Sequence, residues 1–177
     1  MAKNYKEFVN KVQQNGLLLK DMEEQTEEIC LLAVRQNGYA LQYVKHQTEE
    51  ICLLAVQQNG YALQYVKHQT DEICKQAVRK NGPAIHYVAN QTEEICKLAV
   101  LSGIALRWVH EELKTEEICT MAVRENGHQL IYVTNQTEEI CKTAIKENCV
   151  SLYYVTNPTE EMFEMVVFKE GIKKEQI

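Results

Sequence analysis

Cysteine is the residue in this sequence with the widest chemistry, because a thiolate can bind a metal, form a disulfide or act as a nucleophile. Six of the seven cysteines recur at a nearly constant spacing. They are Cys30, Cys52, Cys74, Cys96, Cys119 and Cys141, whereas Cys149 lies outside the series. No C-x-x-C pair or cysteine–histidine cluster lies within one spacing, so a metal or redox site would have to combine distant segments.

The histidines are the other candidates for catalysis, and they form no pattern. His46, His68, His86, His110 and His128 lie in different local contexts apart from the first two. The sequence has no phosphate-binding loop, nucleophile elbow or HExxH motif. An active site needs unlike groups that converge on one pocket. We therefore expect a protein that is not an enzyme and that has no catalytic, metal-binding or cofactor-binding residues.

The cysteine spacing belongs to a repeat of 22 residues. Residues 26–47 read TEEICLLAVRQNGYALQYVKHQ, and residues 48–69 are identical except for Gln57 in place of Arg35. Further copies begin at Thr70, Thr92, Thr115 and Thr137. A fixed period of this length is typical of array proteins, in which one repeat cannot bury its apolar face alone. Stacking of the repeats must therefore supply the core.

Each copy contains the signals of a first helix of about three turns. Thr26 is a good N-cap, and the glutamates at 27–28 place negative charge in the first turn. The apolar residues of the segment 29–34 recur with a 3.6-residue period. Asn37-Gly38 then predicts a left-handed stop.

The segment after the glycine predicts a second, shorter helix. Residues 39–45 allow only about two turns before the next repeat begins. Leu41 and Val44 are three residues apart, which favours a helix over the strand of a leucine-rich repeat. The predicted fold is therefore all-α, an α-solenoid of stacked two-helix repeats.

The repeats organise the whole chain. We expect a single repeat domain over residues 1–177, with an N-terminal capping repeat at 4–25 and six repeats over 26–158. A C-terminal capping helix and tail occupy 159–177, because terminal repeats are usually atypical. One copy is irregular: it is one residue short at the turn 100–103 and two residues long at 110–114.

Four apolar positions of the repeat predict the core. They are the columns that begin with Ile29, Val34, Leu41 and Val44. Cysteine forms a further column, and packed helices lie roughly 8 to 10 Å apart, beyond the Cα separation of about 7 Å that a disulfide allows. We therefore predict buried, reduced cysteines that act as small apolar residues and indicate a reducing compartment.

Two further columns leave alternatives open. An aromatic residue recurs once per repeat and could fill space between the short helices or line a peptide groove. These residues are Tyr43, Tyr65, Tyr87, Trp108, Tyr132 and Tyr154. Base stacking is disfavoured because the neighbouring positions are mostly uncharged. The acidic pairs that follow each Thr either complement the helix dipole or attract a basic partner.

Two surfaces are candidates for partner binding. Arg35, Arg79, Arg124 and Lys146 form a discontinuous basic stripe, which supports an alternative function in nucleic-acid association. The net charge of −6 argues against that alternative, because phosphate neutralisation needs Lys and Arg.

The C-terminal segment carries apolar residues on more than one face. Phe163, Met165 and Phe168 therefore form a capping or oligomer surface. We expect them to support a homodimer, and an equilibrium sedimentation mass equal to the monomer at micromolar concentration would contradict this.

The repeat core, E-E-I-C-L-x-A-V-x-x-N-G-x-A-L-x-Y-V, resembles a family classified as a domain of unknown function. That family occurs in tandem in proteins of giant amoeba-infecting viruses, some protists and some bacteria. The resemblance implies a repeat architecture and a viral origin, and it brings no functional residues.

No apolar run reaches the ~20 residues of a membrane span, and residues 1–6 are followed by a polar stretch instead of the apolar segment of a signal peptide. We expect a non-enzymatic scaffold for protein or peptide partners, located in the cytoplasm or another reducing compartment, or in a virion.

Overall fold

The computed structural model describes residues 2–103 and 106–170, and it confirms an all-α repeat solenoid. Within these ranges α-helices alternate with short 3-10 helices and no β-strand occurs. The α-helices are α1 Ala2–Gln14, α2 Glu27–Gln36, α3 Glu49–Gln58, α4 Asp71–Lys80, α5 Glu93–Leu101, α6 Glu116–Glu125, α7 Glu138–Glu147 and α8 Glu160–Glu170. The second helix of each repeat is thus of the 3-10 type.

The 3-10 helices are η1 Gly16–Asp21, η2 Gly38–Tyr43, η3 Gly60–Tyr65, η4 Gly82–Tyr87, η5 Leu106–Trp108, η6 Glu111–Leu113, η7 Gly127–Tyr132 and η8 Cys149–Tyr154. The chain divides into two compact units, Met1–Gln91 and Thr92–Ile177. In each unit, α-helices of successive repeats pack side by side and the 3-10 helices form a second layer. None of the described helices has both the length and the apolar character that a bilayer span requires.

Threonine caps helices α2 to α7, and three of these threonines also contact the preceding repeat. Thr48 Oγ1 accepts a hydrogen bond from Ile51 N at 3.4 Å and donates one to Glu27 Oε1 at 3.1 Å. Thr70 and Thr137 make the same pair of contacts. The N-cap therefore satisfies an unpaired helix N–H and connects neighbouring repeats at the same time.

The prediction that Asn37-Gly38 is a left-handed stop is wrong. Asn37 is extended, with φ −151° and ψ 111°, and its side chain caps the 3-10 helix by accepting from Tyr39 N at 3.0 Å. Among the described glycines, only Gly103 has a positive φ, 74°. Gly38 is required for a different reason, since a Cβ there would lie 2.5 Å from the carbonyl oxygen of Ala55 in the next repeat.

The predicted core is confirmed for the internal repeats. The isoleucine column is at most 1% exposed, and Ile29, Ile51, Ile73, Ile95, Ile118 and Ile140 belong to it. The alanines that precede the first valine of each repeat are equally buried, which is how adjacent helices approach closely. The last repeat differs, because Leu152 and Val155 are only partly buried.

A glutamine precedes most of the capping threonines and links one repeat to the next. Gln47 Nε2 donates to the carbonyl oxygen of Tyr65 at 2.8 Å, at the end of the following 3-10 helix. Its Oε1 accepts from Lys67 N at 2.9 Å and lies 3.7 Å from Cys52 Sγ. Gln25 and Gln136 make the same contacts. We call this arrangement the glutamine bridge.

The irregular repeat replaces this chemistry with other residues. Lys114 stands where the other repeats have glutamine, and its Nζ donates to the carbonyl oxygen of Tyr132 at 3.1 Å. Glu111, from the two-residue insertion, pairs with Lys114 at 2.7 Å and hydrogen-bonds Thr134. At the shortened turn, the buried Gln129 accepts from Leu106 N at 2.9 Å. Each length change is thus accompanied by a new polar partner.

We predict that Gln47→Met destabilises the fold, whereas Gln42→Met does not. The first change leaves the Tyr65 carbonyl and the Lys67 N–H without a protein partner, at a cost of about 1 to 3 kcal/mol. Gln42 is exposed and donates only to the carbonyl of Tyr39 in its own helix. Urea unfolding midpoints and amide exchange at Lys67 would measure the difference. Equal losses in the two variants would contradict a special role for the bridge.

Candidate functional site

The cysteines lie in the core and not in a reactive site. All six members of the series are free and buried, and Cys149 is partly buried. Burial, followed by the nearby carboxylate of Asp71, raises the pKa of Cys74 to about 11. Burial likewise raises the pKa of Cys52. Within the described ranges, no group of three or more His, Cys, Asp or Glu residues is arranged to hold a metal ion.

The histidines lie on the surface, and all five are exposed. His128 packs its ring 5.8 Å from that of Tyr154, and its Nδ1 lies 3.2 Å from Asn148 Nδ2. His86 packs against the ring of Tyr87 at 5.2 Å. These contacts are packing interactions within the 3-10 layer.

The aromatic column packs between repeats. The ring of Tyr39 meets that of Tyr65 edge to face, with centroids 6.1 Å apart, and Tyr61 meets Tyr87 in the same way at 6.5 Å. These rings are partly buried. Edge-to-face pairs of this kind stabilise a fold by about 0.5 to 1.5 kcal/mol beyond their buried area. The geometry supports the packing role that the spacing suggested.

Lysines neutralise part of the acidic ends of the helices. Lys75 pairs with Asp71 at 2.6 Å on α4. Lys142 pairs at 2.7 Å with both Glu138 on its own helix and Glu161 on α8, and these hydrogen bonds raise its pKa. The sequence signal for these contacts is a lysine five residues after the capping threonine in α4, α5 and α7.

The four residues of the predicted basic stripe are exposed near the C-terminal ends of their helices. In the first unit, Arg35 and Arg79 lie on α2 and α4, with Gln57 at the equivalent position of α3. In the second unit, Arg124 and Lys146 lie on the neighbouring helices α6 and α7. Positive side chains at helix C-termini also complement the helix dipole, so their role as a partner surface stays a prediction.

The terminal helix α8 is less covered than the internal α-helices. Met162 is 2% exposed, but Phe163, at the position of the buried cysteines, is 49% exposed. Met165 is partly buried, and Phe168 is 91% exposed. The predicted capping or oligomer surface is thus accessible on the described part of the chain.

A second exposed apolar surface lies on the 3-10 layer of the second unit. Ile131 is 56% exposed, Val150 46% and Tyr153 87%. We call these three residues the η7–η8 patch. The equivalent positions of Ile131 and Tyr153 in the first unit are the polar residues Gln42 and Gln64.

A groove lies between α2 and α3 in the first unit. Its volume is about 450 Å³, within the range of ligand pockets. It is lined by Arg35, Glu49, Glu50, Leu53, Leu54 and Gln57. Arg35 was a candidate from the sequence, but the leucines were not. The sequence pattern that could have indicated them is the Leu-Leu pair after the cysteine, which among the repeats only α2 and α3 carry.

The comparison with protein families identifies one similarity. The model of a domain of unknown function, DUF4116, matches residues 26–70 and again residues 48–92. The two matches are offset by one repeat and together cover less than half of the chain. They agree with a repeat protein of unknown function. No curated protein and no solved structure matches the chain.

We predict that the folded chain exposes one fast-reacting thiol, Cys149, to a disulfide reagent at pH 8, and that the six buried thiols react slowly. In urea, which unfolds the chain, all seven thiols should react at the same rate. Because the pKa of Cys74 is raised from 9.0 to about 11 on folding, its neutral thiol favours the folded state below pH 9. That contribution is lost as the pH rises through 11. A single rate for all seven thiols in the native chain would contradict this assignment.

Proposed function

We propose that the chain is a non-enzymatic repeat scaffold that binds a protein or peptide partner through exposed side chains that differ between its repeats. The η7–η8 patch carries this proposal. Isolated apolar side chains are normal on a protein surface, but contiguous ones mark interaction sites. In a 3-10 helix, residues three apart share a face, so Val150 and Tyr153 project from η8 on one side.

The stack does not need apolar residues at the positions of Ile131 and Tyr153, whereas the counterparts of Val150 in the first unit are the packing residues Tyr39 and Tyr61. In the first unit, Gln42 Nε2 and Gln64 Nε2 each donate to a carbonyl of their own 3-10 helix at 3.0 Å. Neighbouring core residues are as fully buried there as in the second unit, as Leu63 and Leu130 show. Ile131 and Tyr153 therefore support a role outside folding.

Nucleic-acid association is the alternative. Arg35, Arg79 and Arg124 are exposed and form no ion pair within the described part of the chain. The net charge of −6 and the carboxylates at the other end of the same helices weaken this alternative. Binding of oligonucleotides that falls steeply with salt would favour it over protein binding.

The proposal also covers the origin, the cellular compartment and the oligomeric state of the scaffold. The resemblance of the repeat core supports a viral origin, and the free, buried cysteines support a reducing compartment such as the cytoplasm. The exposed Phe163 and Phe168 support a homodimer through the terminal repeat.

Affinity capture with a matched variant tests the function. The double variant Ile131→Gln and Tyr153→Gln introduces the residues that the first unit carries, so we expect it to fold as the wild type does. We expect the wild-type chain, after nuclease treatment and crosslinking in the expressing cells, to retain a protein that the double variant loses by at least about tenfold. The control is Gln42→Ala with Gln64→Ala.

Two results would contradict the proposal. Recovery of nucleic acid without any specific protein would favour nucleic-acid association over protein binding as the function. Equal recovery of the same proteins by the wild type and by an unfolded chain would show that the capture reflects only general stickiness. Circular dichroism of each variant establishes that it is folded before the capture.

A further inference from the structure

We propose that the α2–α3 groove binds an amphipathic, cationic peptide segment, with leucine-sized side chains on the groove floor and Lys or Arg against its acidic end. This assignment rests on the proposed function and names the chemistry of a partner at one site.

The groove presents one complete stripe of α3. Glu49, Glu50, Leu53, Leu54 and Gln57 are spaced at i, i+1, i+4, i+5 and i+8, which places them on one face. Eight residue steps correspond to about 12 Å of helix axis. A peptide of two to three helical turns would match this length and bury its apolar face, as helix-in-groove complexes do.

The groove is chemically ordered along its length. Glu49 and Glu50 lie at its N-terminal end, the leucines in the middle, and Arg35 with Gln57 at its C-terminal end. Leu53 and Leu54 are partly buried, so they offer an apolar floor and not a protruding patch. This order selects a ligand with cations at one end and apolar side chains next to them.

The next helix carries a different surface at the same positions. On α4, Lys75 replaces Leu53 and pairs with Asp71 at 2.6 Å. Gln76 replaces Leu54 and donates to Glu72 Oε1 at 2.7 Å. The acidic pair of α4 is therefore occupied by side chains of its own helix.

On α3 the leucines cannot provide those partners. Glu49 accepts a hydrogen bond from Thr70 at 3.3 Å, but Glu50 forms no ion pair or hydrogen bond within the described part of the chain. Arg35 likewise forms no ion pair or hydrogen bond within that part of the chain. The groove thus offers an exposed carboxylate and an exposed guanidinium that the fold does not use.

The leucines are also unnecessary for stacking. The core residues Ile73, Ala77 and Val78 of α4 are at most 1% exposed, as are Ile51, Ala55 and Val56 of α3. The core is thus equally buried whether the surface position carries lysine, as Lys75 on α4, or leucine, as Leu53 on α3. Repulsion by Glu49 and Glu50 makes the groove unsuited to nucleic acid, so a cationic peptide is the occupant with complementary charge.

Fluorescence anisotropy with designed peptides tests the assignment on the full chain. The probe is a labelled Leu/Lys amphipathic peptide of about 10 residues, just under three helical turns. Two control peptides, its twins, have the same length: one carries Glu in place of each Lys, and the other carries Ser in place of each Leu. We expect the Leu/Lys probe to bind at least about tenfold tighter than either twin, and more weakly as salt rises.

The double variant Leu53→Lys and Leu54→Gln gives α3 the surface that α4 already has. We expect the array to stay folded and the probe to bind at least about tenfold more weakly, because both the floor and the open carboxylate are lost. Glu50→Gln, a neutral change of an exposed side chain, provides a second test. We expect it to weaken binding about threefold and to reduce the salt dependence.

Several results would overturn the assignment. These are equal binding of the Glu-bearing twin, unchanged binding to both variants, or an oligomer of the wild type that Leu53→Lys with Leu54→Gln converts to a monomer. The last result would make the groove a contact between copies of the chain. A failure of the peptide tests with intact capture through the η7–η8 patch would remove the groove assignment and leave the scaffold function standing.

Discussion

The glutamine bridge is the interaction on which the array depends. Each 3-10 helix ends with a carbonyl and an N–H that its own short hydrogen-bond pattern cannot satisfy. Gln47 supplies both partners for the following repeat, and it can do so only if successive repeats keep a constant length. Where the length changes, the Lys114 ammonium takes over the contact to the carbonyl, and the Glu111 carboxylate pairs with Lys114 and hydrogen-bonds the Thr134 side chain. The constraint is therefore on geometry, and different side chains can meet it.

This constraint separates the repeated residues from the variable ones. Threonine caps, glutamine bridges, Gly–Ala close contacts and the buried apolar columns account for most of the positions that recur, as Thr48, Gly38 and Ile29 illustrate. Cys149 replaces that glycine in the last repeat, where α8 carries Val166 in place of the alanine. Folding of the array does not require a particular residue type at surface positions such as Leu53 and Ile131. A function that varies along the chain has to use positions of that kind.

Sequence periodicity predicted the fold well because burial and capping act locally. The Thr26 cap, the Ile29 column and the short second helix all follow from 3.6-residue spacing and N-cap chemistry. The role of Gly38 could not be predicted in the same way, since its cause is a carbonyl in the next repeat and not its own backbone. The glutamine bridge was missed for the same reason, although its column is visible as the residue before most of the capping threonines.

The candidate sites were harder to predict because they depend on which charges the fold already uses. The acidic pairs look alike in sequence, yet Glu72 accepts a hydrogen bond from Gln76, whereas Glu50 has Leu54 at the same spacing. A substitution from glutamine to leucine thus changes two properties together: it adds apolar surface, and it leaves a carboxylate open. Duplication of residues 26–47 into 48–69 places two such helices side by side. The leucines and the open carboxylate of the groove belong to α3 and its guanidinium to Arg35 of α2, and the Ile, Ala and Val core residues of both helices are at most 1% exposed.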